Sequence, residues 1–277
     1  MNLTERLDPK KTTQLFGYHN KFNFLSNLIL KEKFPRVILF SGEKGIGKST
    51  LINHLMYFYF DKENYDVKDL ILSKQSTFYK QSVNNIFPNI FYFNGSNYKN
   101  VKIEDIRNLK KSLLSTSLND FKRFVILDDV EIFNKNSLNA LLKIIEEPNK
   151  NIHFILINNK SKPLLETIKS RSLEIKIFFN YEEKNFIVNS LFEKFNQQKS
   201  LNENLLNMSP GNFLRFNDVC NLKKINIEEN FLINLSSILN FYKKDKDIFY
   251  KDLILYLVEY YLQKNKHDRK FNNKKKL

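Results

Sequence analysis

The chain has 277 residues, a formal net charge of +15, 42% apolar residues and a single cysteine. That apolar share excludes a disordered chain and supports a sizeable core, and the lone Cys220 excludes an internal disulfide or a cysteine-ligated zinc site. With no apolar run long enough for a bilayer and no signal-peptide stretch among its first residues, the sequence predicts a soluble cytoplasmic protein with no membrane partner.

Residues 19–33 carry an apolar stripe at Phe22, Leu25, Leu28 and Ile29, which predicts a helix. Residues 35–40 are a continuous apolar run suited to a strand buried on both faces. A glycine-rich loop follows, and 49–60 reads as a helix. Residues 61–88 are polar and irregular. Residues 89–95 read as a strand, and 102–114 as an amphipathic helix with Ile103, Ile106, Leu109 and Leu113 on one face.

Residues 123–129 are an apolar strand ending in two carboxylates. Helix 134–148 is expected to stop at Pro148 and to bury a stripe of Leu138, Leu141, Leu142 and Ile145. Then come strand 152–158, helix 162–171 with Pro163 in its first turn, and strand 173–177. Beyond 180 the pattern is helical: 182–196, 202–209, 211–220 and two longer helices within 227–264. The basic end, 264–277, is expected as a frayed, solvated tail.

Strands alternating with helices imply an α/β fold with a mostly parallel sheet. The expected division is a nucleotide-type α/β domain over 1–178, a small helical lid over 179–220 and a short all-helical C-terminal segment with the basic tail over 221–277. The positive charge has two readings: a polyanionic partner, or a genome whose base composition enriches lysine.

The sharpest chemistry lies in 41–50, SGEKGIGKST, which spells G-x-x-x-x-G-K-S between a strand and a helix. Gly42, Gly45 and Gly47 let the backbone wrap closely around phosphate oxygens. Glu43, Lys44, Ile46 and Thr50 complete the run whose N–H groups and helix N-terminus face the anion. Lys48 reaches the outer phosphates of ATP, and Ser49 holds Mg²⁺. Asp128, ending strand 123–129, is the second candidate for the metal shell. Many loop ATPases place a glutamate at the next position to polarise the attacking water; here it is Asp129, one methylene shorter, so weak hydrolysis is expected. Glu131 is expected to point elsewhere.

The runs LFSGEKGIGKSTL, VILDDVEIFNKNSLNALLKIIEEP and HFILINNKSKPLLETIKSRS together resemble the clamp-loader ATPases of the AAA+ superfamily. LFGYHN (15–20) and FPNIFYFNGSNYKNVKIEDIRNL (87–109) resemble the family's opening and its next motif region, and the likeness spans residues 10–215. It implies an AAA+ P-loop domain that binds ATP and Mg²⁺. It also implies a place in a ring with gamma/tau and delta subunits, reaching a sliding clamp and primed DNA through the complex.

Within the family the likeness is nearest to delta-prime subunits of bacterial DNA polymerase III. The gamma/tau ATPase motor, or another AAA+ ATPase, is the alternative. Three departures from the motor favour delta-prime. The four-cysteine module is missing between loop and metal strand, Asn212 stands near the place of the lid arginine with Arg215 displaced, and Asp129 replaces glutamate.

The likeness also makes Arg171, in TIKSRS, an arginine finger acting in trans on the ATP of a neighbouring subunit. The plainer reading of Arg171 is a helix C-terminal cation. Asn158 and Asn159 both stand where the family places a polar residue near the γ-phosphate. Asn158 is carried as the candidate, with a strand-end cap as the alternative for either.

Overall fold

The computed structural model describes residues 7–95, 101–114, 122–146, 151–201, 205, 207–226 and 230–274. The chain forms two compact units, one of Pro9–Phe178 and one of Phe179–Leu277 together with Met1–Asp8.

The first unit is an α/β layer structure. Its elements are α1 (His19–Leu30), β1 (Val37–Gly42), α2 (Lys48–Phe60), a short antiparallel pair β2 (Tyr65–Asp66) and β3 (Ile71–Leu72), α3 (Thr77–Val83), β4 (Ile90–Asn94), α4 (Ile103–Leu114), β5 (Arg123–Asp128), α5 (Lys135–Glu146), β6 (Ile152–Asn158), α6 (Glu166–Lys169) and β7 (Leu173–Ile177). Five strands form one parallel sheet in the order β4-β5-β6-β1-β7. Every residue of β1, β5 and β6 is buried. These central strands are covered on both faces, which is why they read as unbroken apolar runs rather than alternations.

On one face Val37, Leu39, Val125, Leu127, Phe154 and Leu156 pack with the apolar stripes of α4 and α5. Ridges of Leu109, Leu113, Leu138 and Leu141 thus become core, the role expected of the leucines. The start of β5 is locked to the end of α4 by Arg123. Its buried guanidinium donates to the carbonyls of Leu113 (3.1 Å) and Ser112 (3.4 Å), where helix-end oxygens lack helical partners.

Register fixes where the strands end. Ser41 pairs with Asn158, Asn94 with Asp128, and Leu127 with Leu156. The C-terminal ends of β1, β4, β5 and β6 therefore lie side by side, at the edge where parallel α/β sheets carry ligands.

The second unit is helical: α7 (Tyr181–Phe195), α8 (Pro210–Lys223), α9 (Phe231–Asp245) and α10 (Ile248–Lys274). A capping box of Asn180 and Glu183 starts α7, and Pro210 occupies the first turn of α8. One core of Val188, Phe192, Phe213, Leu214, Ile238, Leu253 and Leu257 runs through all four helices.

Several boundaries differ from the sequence reading. Residues 61–88 hold the β2–β3 pair and α3. Ser76 caps α3 by accepting from Tyr79 N, a signal a polar stretch conceals. The helix expected over 162–171 shrinks to Glu166–Lys169, so Pro163 precedes it. The basic end is not frayed through its length, since α10 continues to Lys274 with neither proline nor glycine to interrupt it. Pro148 and residues 202–204 and 206 of the expected 202–209 helix lie outside the described residues. No described helix is long and apolar enough to cross a membrane.

Candidate nucleotide site

The loop after β1 is built around two glycines with separate duties. Gly42 lies opposite Ile177 in the ladder, and a Cβ there would sit 2.4 Å from the Ile177 carbonyl oxygen. Gly47 has φ 101° at the N-cap of α2, a left-handed conformation that other residues resist. Tyr18, fully buried, packs under Gly47 and donates its hydroxyl to the Ile46 carbonyl at 2.9 Å. The first N–H groups of α2 lack helical acceptors and carry the positive end of the helix dipole.

Lys48 folds back over the loop, its Nζ donating to the carbonyls of Gly42 and Glu43 at 2.8 Å each. Burial pulls its pKa down to about 8, against the opposing pull of Asp128, Glu131, Asp129 and Glu43.

Asp128 gathers the neighbouring strand ends. Its Oδ2 accepts from Ser49 Oγ at 2.7 Å and from the Tyr92 hydroxyl at 2.8 Å. Its Oδ1 accepts from Asp129 N at 2.9 Å and from Asn159 Nδ2 at 3.3 Å. Burial raises the Asp128 pKa above the usual carboxylate value, and the adjacent Asp129 charge adds to it. Hydrogen bonds from Ser49 and Tyr92 and the Lys48 charge pull the other way. Burial likewise raises the Tyr92 phenol well above its ordinary value.

Asp129 is buried with φ 53°, a left-handed backbone that aspartate tolerates better than most residues. Its carboxylate accepts from Asn159 Nδ2 at 2.6 Å. Glu131 points into the same edge of the sheet. Its Oε1 accepts from Ser161 Oγ (2.8 Å), Asn159 N (3.1 Å) and Ser161 N (3.3 Å). It thereby ties the turn after β5 to the turn after β6.

The two asparagines part ways. Asn158 turns inward to accept from Lys160 N at 2.8 Å, the strand-end cap. Asn159 is the one whose amide reaches both aspartates. The side chains of Lys48, Ser49, Asp128 and Asp129 are therefore brought together, whereas Asn158 is committed to its own turn.

Arg171 makes its contacts elsewhere. Its Nε donates to Glu146 Oε1 at 2.7 Å and its Nη1 to the Thr167 carbonyl at 3.2 Å, with 41% of the side chain exposed. In the helical unit Asn212 is buried at the start of α8 and donates to Ser209 Oγ at 3.0 Å. Arg215 is partly buried in that unit, with its Nε shielded from solvent. Burial lowers its pKa and the Asp252 charge opposes the shift.

Tyr18 and Tyr92 join the candidate site with no motif to announce them, Asn159 rather than Asn158 is the asparagine that reaches the aspartates, and Glu131, expected to point elsewhere, braces the same edge. Their signal is register: Tyr92 is two residues before Asn94, the partner of Asp128 in the β4–β5 ladder, so it occupies the same face one step back.

Comparison with known proteins gives the family. Residues 17–179 match the family model described as DNA polymerase III, delta subunit. A DNA polymerase III subunit gamma from Buchnera aphidicola is 26% identical over 187 residues, 66% of this chain and 50% of that one. A delta' subunit from Bacillus subtilis is 29% identical over 147 residues, 53% and 43% of the two chains. One from Pseudomonas aeruginosa is 34% identical over 76 residues, 27% and 23%. The chain spans about half the length of the curated relatives that it matches over the longest stretches. A gamma subunit-related protein of known structure from Thermotoga maritima aligns with a TM-score of 0.48 at 18% identity, over 84% of this chain and 75% of that one. With that family model matching more than half of its residues, the chain belongs to the DNA polymerase III delta subunit family, a family of clamp-loader AAA+ subunits.

Proposed function

We propose that this chain is a delta-prime-type clamp-loader subunit that binds ATP with Mg²⁺ and hydrolyses it weakly or not at all. In this reading it presents Arg171 to the ATP of a neighbouring gamma/tau subunit. With gamma/tau and delta it takes part in ATP-dependent loading of a sliding clamp onto primed DNA. Residues 1–178 are the AAA+ P-loop domain, 179–220 the lid and 221–277 a reduced collar-like contact.

The observation that carries the nucleotide reading is the meeting of Ser49 and Asp128 at 2.7 Å beside Lys48. The donor set fits the group: a hydroxyl and a carboxylate are the hard oxygen ligands Mg²⁺ takes, with nucleotide phosphates and water completing its shell. Lys48, now resting on two carbonyl oxygens, is the cation that would transfer to the phosphates. The N-terminus of α2 and the turn held by Gly47 would bind the phosphate oxygens through backbone N–H groups. Bound nucleotide would supply the phosphate oxygens. The chain's own residues would orient them and exclude water.

Support for weak hydrolysis comes from Asp129. It is a methylene short of glutamate, its backbone is left-handed, and its carboxylate is occupied by Asn159 at 2.6 Å. A base drawn back by about an ångström forfeits much of its rate.

The gamma/tau-type motor is the alternative, favoured by the length of the match to the Buchnera gamma subunit. Reconstitution with gamma/tau and delta decides between them. The purified chain is expected to bind ATP with little turnover, and Arg171→Ala is expected to cut the DNA- and clamp-stimulated ATPase of the assembly. Rapid turnover by the chain alone, abolished by Lys48→Ala, would establish the motor reading instead.

A further inference from the structure

We infer that Tyr92 sets how strongly nucleotide binding at this loop depends on Mg²⁺, by holding the carboxylate oxygen the cation's shell needs. The inference rests on the nucleotide reading above and adds a specificity-determining residue to it.

An ionised carboxylate offers about four lone-pair positions, and Asp128 has four protein donors. Ser49 and Tyr92 take Oδ2, and Asp129 N and Asn159 take Oδ1. A cation at Ser49 needs two changes. The Ser49 hydroxyl must turn from donating to Asp128 to offering its own lone pair, which is a simple rotation. Asp128 must also direct full negative charge at the cation or at one of its waters. The Tyr92 phenol opposes that second change, since it donates to the same oxygen and withdraws charge from it.

Tyr92 cannot step aside easily. Its backbone is fixed in β4 by pairing with Ile126, and the Lys10 ammonium lies 4.4 Å from its ring centroid, an attraction that holds the ring. Leaving Asp128 would give up a hydrogen bond to a charged group, with the Asn94 side chain as the phenol's other, neutral partner. The phenol therefore remains on Oδ2 and competes with the metal. ATP binds here with weak coupling to Mg²⁺, in keeping with a subunit that holds nucleotide without turning it over.

The test is calorimetric titration of the full chain with ATP, once in EDTA and once in excess Mg²⁺, for wild type and Tyr92→Phe. Phenylalanine keeps the ring and removes only the hydroxyl, and thermal unfolding checks the fold. Wild type is expected to gain less than about threefold in affinity from Mg²⁺, and Tyr92→Phe about tenfold more than wild type, the worth of one hydrogen bond to a charged group. Tyr92→Leu, lacking ring and hydroxyl, must shift the ratio in the same direction. Equal Mg²⁺ ratios in wild type and variants overturn the inference and leave the nucleotide reading standing. No ATP binding by wild type under either condition overturns both.

Discussion

Arg171 and Glu146 form an ion pair, Nε to Oε1 at 2.7 Å, that ties the turn after α6 to the last residue of α5. Both side chains are well exposed, at 41% and 46%, so the pair contributes at most about 1 kcal/mol to folding. In the proposed assembly its consequence would be orientation, because a guanidinium bonded to Glu146 and to the Thr167 carbonyl would be aimed before a neighbour arrives. Glu146→Gln is expected to change unfolding free energy by less than about 1 kcal/mol. In an assembly with gamma/tau and delta it should lower stimulated ATPase activity by about threefold, while Arg171→Ala should lower it by about 10²-fold or more. Urea unfolding of the chain and steady-state ATPase of the assembly measure the two effects separately. Full activity in the Arg171→Ala assembly would remove the finger from the mechanism.

Asp129 invites the reverse experiment. Asp129→Glu restores the longer side chain at a residue whose φ is 53°. Glutamate lacks aspartate's tolerance of the left-handed region, so the variant should lose about 1 kcal/mol of stability. The longer carboxylate must also leave Asn159, so the expected gain in single-turnover hydrolysis of bound ATP is modest, about tenfold. Asn159→Ala combined with Asp129→Glu should gain more than either change alone, as expected for contacting residues. A rapid-quench measurement reads all three variants.

How much of this was legible beforehand follows from the range of the forces involved. The central strands declared themselves because burial on both faces leaves apolar runs with no polar alternation. The meeting of Ser49 and Asp128 was legible because loop, strand and helix impose a fixed local grammar. The choice between Asn158 and Asn159 was not. Adjacent residues on a strand face opposite ways, and the side taken by the turn after β6 depends on its bonds to Glu131, 28 or more positions away. Tyr92 escaped for the same reason, since its relation to Asp128 exists only through the β4–β5 register. The helix over 162–171 was overcalled because Pro163 suits a first turn in isolation, while the structure starts α6 at Glu166.

Gly42 gives a prediction about packing rather than chemistry. A methyl at Gly42 would press on the Ile177 carbonyl at 2.4 Å, and two strands in one ladder cannot separate without losing hydrogen bonds. Gly42→Ala should therefore cost about 2–3 kcal/mol, the range of overpacking in a tight core. It should also weaken ATP binding, because Lys48 rests on the Gly42 carbonyl. Urea unfolding checks the first effect. A variant as stable as wild type would show that β1 and β7 can part at this point without cost.

His54 makes the fold sensitive to acid. It is fully buried on α2, shares a 2.9 Å hydrogen bond with the Tyr65 hydroxyl through Nδ1, and packs edge-on against Tyr57 and Tyr65. Burial pulls its pKa from 6.5 down to about 3, and a backbone hydrogen bond at Thr12 opposes the shift only partly. Between pH 6.5 and about 3 the unfolded chain therefore binds a proton that the folded chain refuses. Stability is unaffected by this group above pH 6.5 and is lost progressively as pH falls through that window, by up to roughly 5 kcal/mol. The buried Asp128 and Glu131, whose pKa values are raised, act in the opposite sense, since the folded chain takes up their protons first. The His54 contribution is isolated by comparing wild type with His54→Phe. The variant should be less stable at pH 7.5, by about 1–3 kcal/mol, because the Tyr65 hydroxyl loses its partner. Its stability should nevertheless fall less steeply between pH 6.5 and 4.5. Urea midpoints measured across that range test the slope. Parallel profiles for the two proteins would mean that His54 is protonated in the folded chain and that its burial costs nothing in acid.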